Sequence, residues 1–270
     1  MHSISLIDIE RETYKNTRIH RLDGRIKLLF LIGIILYAVS LPKLSILTLW
    51  KLAAIEIYIL IIMIIAGLNF FYVALRYVML TPFGLGIAVL QPFFRQGFIE
   101  EFTVHELPFI GITWTEEGLL FGAVVFIKFT VAVSAVIMFS STTPMTEMVE
   151  SARKLKLPRE FALLLTMMIR YLFVFWGVFK RLHTAQASRC FNIWNPHVPR
   201  KWIMEQIAHS ISSLFIRSYE QGERTFQSML SRGYDYTADI YVHKKKILMP
   251  EIAFVALTII VIGSTHLCCY

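Results

Sequence analysis

Cysteine is scarce: Cys190, Cys268 and Cys269 are the three in 270 residues, and none forms a spaced C-x-x-C pair. Neither a zinc site nor a disulfide framework is therefore indicated. No G-x-x-x-x-G-K-[ST] run occurs, so the chain has no loop with which to cradle and hydrolyse a nucleoside triphosphate. The eight histidines (His2, His20, His105, His183, His197, His209, His243 and His266) include no H-x-x-x-H or H-x-x-H pair, and no metal site is assigned to them. Ser, His and Asp occur at no spacing that suggests a triad, so no catalytic residue is assigned either. No A-x-A-type cleavage site closely follows the first apolar run, which reads as a retained helix. The inverted repeat expected of a self-contained secondary transporter is not visible.

What is abundant is apolar side chain. The chain is 56% hydrophobic with 21 Phe, and its mean hydropathy is +0.59. Soluble domains hold about 45–50% apolar residues, so the excess points to an integral membrane protein. The net charge of +8 reads as a topology signal, because basic residues sort to the cytoplasmic side, and not as a nucleic-acid footprint.

Apolar runs predict about five transmembrane helices: Ile26–Leu41, Leu44–Ala66, Phe70–Phe94, 119–142 and Ile247–Gly263. The first is short for a bilayer core of about 30 Å and needs help from its flanks. Lys51 and Glu56 interrupt the second and are expected to pair within the bundle or to snorkel, as is the single Lys128 in the fourth. Thr81-Pro82-Phe83-Gly84 predicts a kink in the third. The basic segment 1–25 and region 143–246 bracket an acidic loop, 95–118, which holds Glu100, Glu101, Glu106, Glu116 and Glu117 against Arg95. The positive-inside rule then places the N-terminus and 143–246 in the cytoplasm. Three regions follow: 1–142 with the first four spans, 143–246 as a cytosolic region, and 247–270 as the last span. Phe161–Phe179 is apolar and nearly long enough to cross. A crossing would strand basic residues on both faces and put Arg170 near mid-membrane, so a helix lying along the inner surface or packed under the other spans is expected instead.

Within 143–246 the pattern predicts two long helices. The second carries Ile203, Ile207, Ile211, Leu214, Phe215 and Phe226 at helical spacing, is set off by Pro196 and Pro199, and is expected to run about 33 residues. The helices end in nearly the same four residues, Ser188-Arg189-Cys190-Phe191 and Ser231-Arg232-Gly233-Tyr234, each with a further arginine eight positions earlier, Arg181 and Arg224. Gly233 stands where a left-handed C-cap belongs. An arginine fork holds a carboxylate bidentately and keeps its charge, which suits gripping a partner.

Three further stretches stand beside these: Leu22-Asp23-Gly24-Arg25-Ile26-Lys27-Leu28 at the entry to the first span, Lys156-Leu157-Pro158, and Arg170-Tyr171. Together with the paired arginine motifs, they make nearly the whole chain resemble the transmembrane T component of energy-coupling-factor transporters, most closely the CbiQ type that serves cobalt uptake. That family's entry motif reads L-D-P-R-x-K-L, and here Gly24 replaces Pro. Its helix-end motifs read Ala-Arg-Gly or Ser-Arg-Gly, and each docks into a groove on one of two cytosolic ATPase subunits. The resemblance implies that Ser188, Arg189 and Cys190, with Ser231, Arg232 and Gly233, are the ATPase-coupling residues; Cys190 departs from the usual Gly. It implies an all-α membrane protein with a coupling region of long crossing helices, seated in the cell membrane. It also implies a separate substrate-binding membrane subunit (the S component) that captures the metal, and for this chain no enzymatic activity and no cofactor. Cobalt is favoured as cargo, then nickel, with a vitamin as the alternative. A rival from another class is an intramembrane enzyme acting on a lipid or isoprenoid through Arg170, His183 or His209.

Overall fold

The computed structural model describes residues 13, 15, 17, 19–42, 46–93, 104–106, 113–193, 198–235 and 249–267. His2, Leu44, Phe94, Arg95, Glu100, Glu101, Pro196, His197, His243, Ile247, Cys268 and Cys269, named above, lie outside them. The chain divides into two compact units, Met1–Leu155 with Lys244–Tyr270, and Lys156–His243.

The first unit contains α1 (Gly24–Ser40), α2 (Ile46–Ile65), α3 (Phe70–Leu90), α4 (Glu116–Thr142), α5 (Met145–Lys154) and α8 (Met249–Leu267). A short antiparallel pair, β1 (Val104–Glu106) and β2 (Thr113–Thr115), lies in the stretch read as a loop, with His105 opposite Trp114. By length and apolarity alone, the described helices able to cross a membrane are α2, α3, α4 and, in the second unit, α6 (Arg159–Ser188), with α8 shorter. This all-α arrangement is that of a multi-pass membrane protein.

Helix α4 is the centre of this unit and packs against α1, α2 and α3. Ile34, Leu52, Ile55, Ile59, Val131 and Met138 are buried between them. Lipid tails are as apolar as these side chains, so close fit rather than exclusion of water holds the helices together. Glycine supplies that fit between α3 and α4. A Cβ on Gly84 would come within 2.3 Å of the Phe129 ring, and one on Gly122 within 2.6 Å of the Ala88 carbonyl oxygen. Helix α3 continues through Pro82, which has no N–H to offer the preceding turn.

Polar groups inside the bundle are tied to one another. Lys27 is buried, and its Nζ donates to the carbonyl oxygens of His20 at 3.1 Å and Thr142 at 2.9 Å. Lys128 does the converse, donating to the Leu41 carbonyl at 2.7 Å. Each lysine therefore caps the C-terminal end of the other's helix, where carbonyls lack intrahelical partners. Glu56 does not pair with Lys51 as its spacing suggested. Its Oε1 accepts from Ser134 at 2.5 Å and from Tyr77 at 3.1 Å, so one carboxyl joins α2, α3 and α4. Arg76 lies 4.5 Å over the Tyr72 ring and reaches Ser141 at 3.4 Å.

The entry motif is a joint. The Asp23 carboxylate caps α1 by accepting from the Arg25 N–H, and the Asp23 N–H donates to Glu251 of α8 at 2.9 Å. Gly24 lets α5 approach, since a Cβ there would lie 2.3 Å from the Ser151 hydroxyl. Helix α5, grouped by the sequence reading with the cytosolic region, thus packs on α1.

The second unit is built on α6 (Arg159–Ser188, 30 residues) and α7 (Arg200–Leu230, 31 residues), each preceded by a proline, Pro158 and Pro199. Proline sets the backbone angle of a helix start and gives up an N–H that would have no partner there. Tyr171 bonds Thr225 and Gln186 bonds Ser210, each at 2.5 Å. Advancing along α6 means retreating along α7, so the two helices run antiparallel.

Candidate functional site

The two arginine motifs occupy the C-terminal ends of α6 and α7, and their backbones are alike. At the first, the Cys190 N–H donates to Ala187 at 3.0 Å and the Phe191 N–H to Gln186 at 3.1 Å. At the second, the Gly233 N–H donates to Leu230 at 2.9 Å and the Tyr234 N–H to Met229 at 3.0 Å. This crossed pair of bonds is the Schellman motif, with Arg189 and Arg232 at the cap and the next residue left-handed. Gly233 has φ +76°, and Cys190 adopts the same turn at φ +58°. Cys190 holds this turn at a cost of about 1–2 kcal/mol for a residue with a Cβ in that conformation.

The serines and aromatics complete the correspondence. Ser188 Oγ donates back to the Thr184 carbonyl at 3.0 Å, and Ser231 Oγ to Ser228 at 3.0 Å. Phe191 leans on Trp202 at the start of α7, with ring centroids 5.8 Å apart. Trp202 was not singled out from sequence, where only its position just past Pro199 could have drawn notice.

Ser188, Arg189, Cys190, Ser231, Arg232 and Gly233 are all exposed. Among the described residues, neither Arg189 nor Arg232 has a side-chain hydrogen bond or ion pair. Backbone N–H groups already serve the carbonyls of Gln186, Ala187, Met229 and Leu230, so those carbonyls do not need the guanidinium groups. The upstream arginines differ: Arg224 pairs with Glu220 at 3.5 Å, while Arg181 is exposed. The antiparallel register that matches Tyr171 with Thr225 and Gln186 with Ser210 brings Arg189 level with Ile207. At 1.5 Å per residue, Arg232 then lies roughly 37 Å further along α7. The fold therefore does not gather the two tips into one pocket; it holds them apart as two separate points.

The CbiQ family model, described as cobalt transport protein, matches residues 15–242. The chain belongs to the CbiQ cobalt transport protein family. Among relatives, it is 32% identical to the uncharacterized protein MJ1089 of Methanocaldococcus jannaschii over 57% of this chain and 56% of that one. It is 25% identical to the uncharacterized protein MJ1571 of the same organism over 94% of this chain and 84% of the relative. It is 36% identical to a putative fused cobalt transport protein CbiMQ of Methanocorpusculum labreanum over 35% of this chain and 15% of that protein. The match thus covers little more than half of MJ1089 and a small part of the fused protein. The matched CbiQ region includes both arginine motifs and the Leu22–Leu28 entry motif.

Proposed function

We propose that this CbiQ family member is the T component of an energy-coupling-factor importer. It transmits ATP-driven movement of two cytosolic ATPase subunits to a substrate-binding membrane subunit that carries cobalt, with nickel as the second cargo. The observation that carries this reading is the pair of matching helix ends, each presenting an exposed arginine on the same backbone turn. Two copies of one recognition element, roughly 37 Å apart along a stiff helix pair, call for a partner that offers the same groove twice. A dimer of like subunits does so. The chain has no nucleotide-binding loop of its own, so hydrolysis belongs to the partners. Cobalt as cargo is supported by the family and by the relative whose name joins CbiM and CbiQ in one polypeptide. On this reading the N-terminus and the two tips face the cytoplasm, and Ser188, Arg189, Cys190, Ser231, Arg232 and Gly233 form the coupling contacts.

The test is Arg189→Ala and Arg232→Ala, singly and together, in the complete transporter. Truncating an arginine that anchors an interface weakens binding by roughly 30-fold. Each single variant should lower ATPase co-purification and cobalt uptake, and the double variant should abolish both while the chain stays in the membrane at its normal level. Full uptake by the double variant would sink the assignment.

A further inference from the structure

A groove of about 970 Å³ opens between α2 and α8 in the first unit, with the turn that precedes α1 at one end. Leu22, Ile65, Pro250, Phe254, Leu257 and Val261 are among its lining residues, and all of its lining residues are apolar apart from Tyr58. The hydroxyl of Tyr58 is already bound to Thr258 at 3.0 Å, so nothing in the wall asks for a polar ligand.

Three observations define the occupant. First, the groove follows α8 from Pro250 to Val261, about 16 Å at 1.5 Å per residue. That is half of a hydrocarbon core of about 30 Å, the depth of one leaflet. Second, it does not continue along the whole helix. Past Val261, Thr265 of α8 meets Tyr37 of α1 at 3.3 Å. Third, the turn containing Ile19 and Leu22 forms one end of the groove, and Arg21 of that turn, which does not line the groove itself, is exposed with no side-chain partner among the described residues. A cation beside the mouth of a leaflet-deep apolar slot matches a molecule with an anionic head and a hydrocarbon tail.

We infer that this groove is a binding site for one anionic phospholipid, with an acyl chain between α2 and α8 and its phosphate at Arg21. The site uses none of the arginine-tip residues and does not depend on the transport reading. A bound chain would cover the flank of α8, where Leu257 and Ile260 are 51% and 68% exposed.

The experiment uses the full chain in nanodiscs of equal phosphatidylglycerol and phosphatidylcholine, extracted gently and weighed by native mass spectrometry. Wild type should retain one phospholipid, with phosphatidylglycerol favoured about fivefold, the ratio expected from one basic side chain near the headgroup. Ala253→Phe with Ala256→Phe fills the slot from its own wall and should release the lipid. Arg21→Gln should keep a lipid but lose the headgroup preference, which separates the tail site from the head site even if the double variant folds poorly. Equal retention by wild type and the folded double-Phe variant would overturn the proposal, as would an unchanged preference in Arg21→Gln. Loss of a co-purifying membrane subunit from the double-Phe variant, with lipid retention intact, would assign the groove to a protein partner instead.

Discussion

In the unit formed by residues 1–155 and 244–270, Lys27, Lys128 and Arg76 each reach oxygen atoms on neighbouring helices. In the unit Lys156–His243, Arg189 and Arg232 are exposed, and the carbonyls beside them are satisfied by backbone N–H groups. The difference separates two uses of positive charge in one chain. A cation among apolar helices must be compensated, because leaving it bare costs several kcal/mol; there it acts as a fastener. A cation at a solvated helix end costs little to leave open, and it remains free for another molecule.

That contrast can be broken first where it is strongest. Lys27→Met removes the donor that serves His20 and Thr142, leaving buried carbonyls unpaired at about 3 kcal/mol. Thermal unfolding in detergent should show a clear loss of stability, whereas Arg189→Ala and Arg232→Ala should leave the melting curve in place. Next, Glu56→Ala deprives Ser134 and Tyr77 of a shared acceptor and should cost about 2 kcal/mol by the same measurement. A melting temperature equal to wild type would mean that the three helices do not rely on this carboxyl. The smallest effect has the opposite sign. Cys190→Gly relieves a left-handed φ of +58° and should stabilise the end of α6 by about 1 kcal/mol, seen as slower amide exchange at Phe191 with coupling unchanged. Faster exchange there would show that the two turns are not equivalent.

Much of this was legible in the residues. Apolar runs located α2, α3 and α4 to within a few positions, and Gly233 announced its turn because glycine is the residue that enters left-handed space freely. Cys190 gave no such notice, since only the backbone reveals that a Cβ-bearing residue has taken the same turn. The partners of Lys27 and Glu56 were hidden for a different reason. Sequence spacing suggests neighbours on one helix, and Lys51 was the nearest opposite charge to Glu56, but the acceptors and donors used lie on other helices. Phe161–Phe179 belongs to one continuous helix, α6, which by length and composition qualifies as a span; its basic flanks argue from charge for the surface. Separation of the arginine tips was likewise illegible, because it depends on the antiparallel register of α6 and α7.

The exchange of lysines between α1 and α4 bears on how the chain is made. Helix α1 has 17 residues, fewer than a bilayer asks of a span, and it carries a lysine whose carbonyl partner on Thr142 lies 115 residues later. The serine that Arg76 meets at 3.4 Å, Ser141, is its neighbour. A growing chain that has produced α1, α2 and α3 therefore holds two charged side chains whose oxygens on α4 have not yet been synthesised. These two contacts are therefore complete only once the end of α4 is in place.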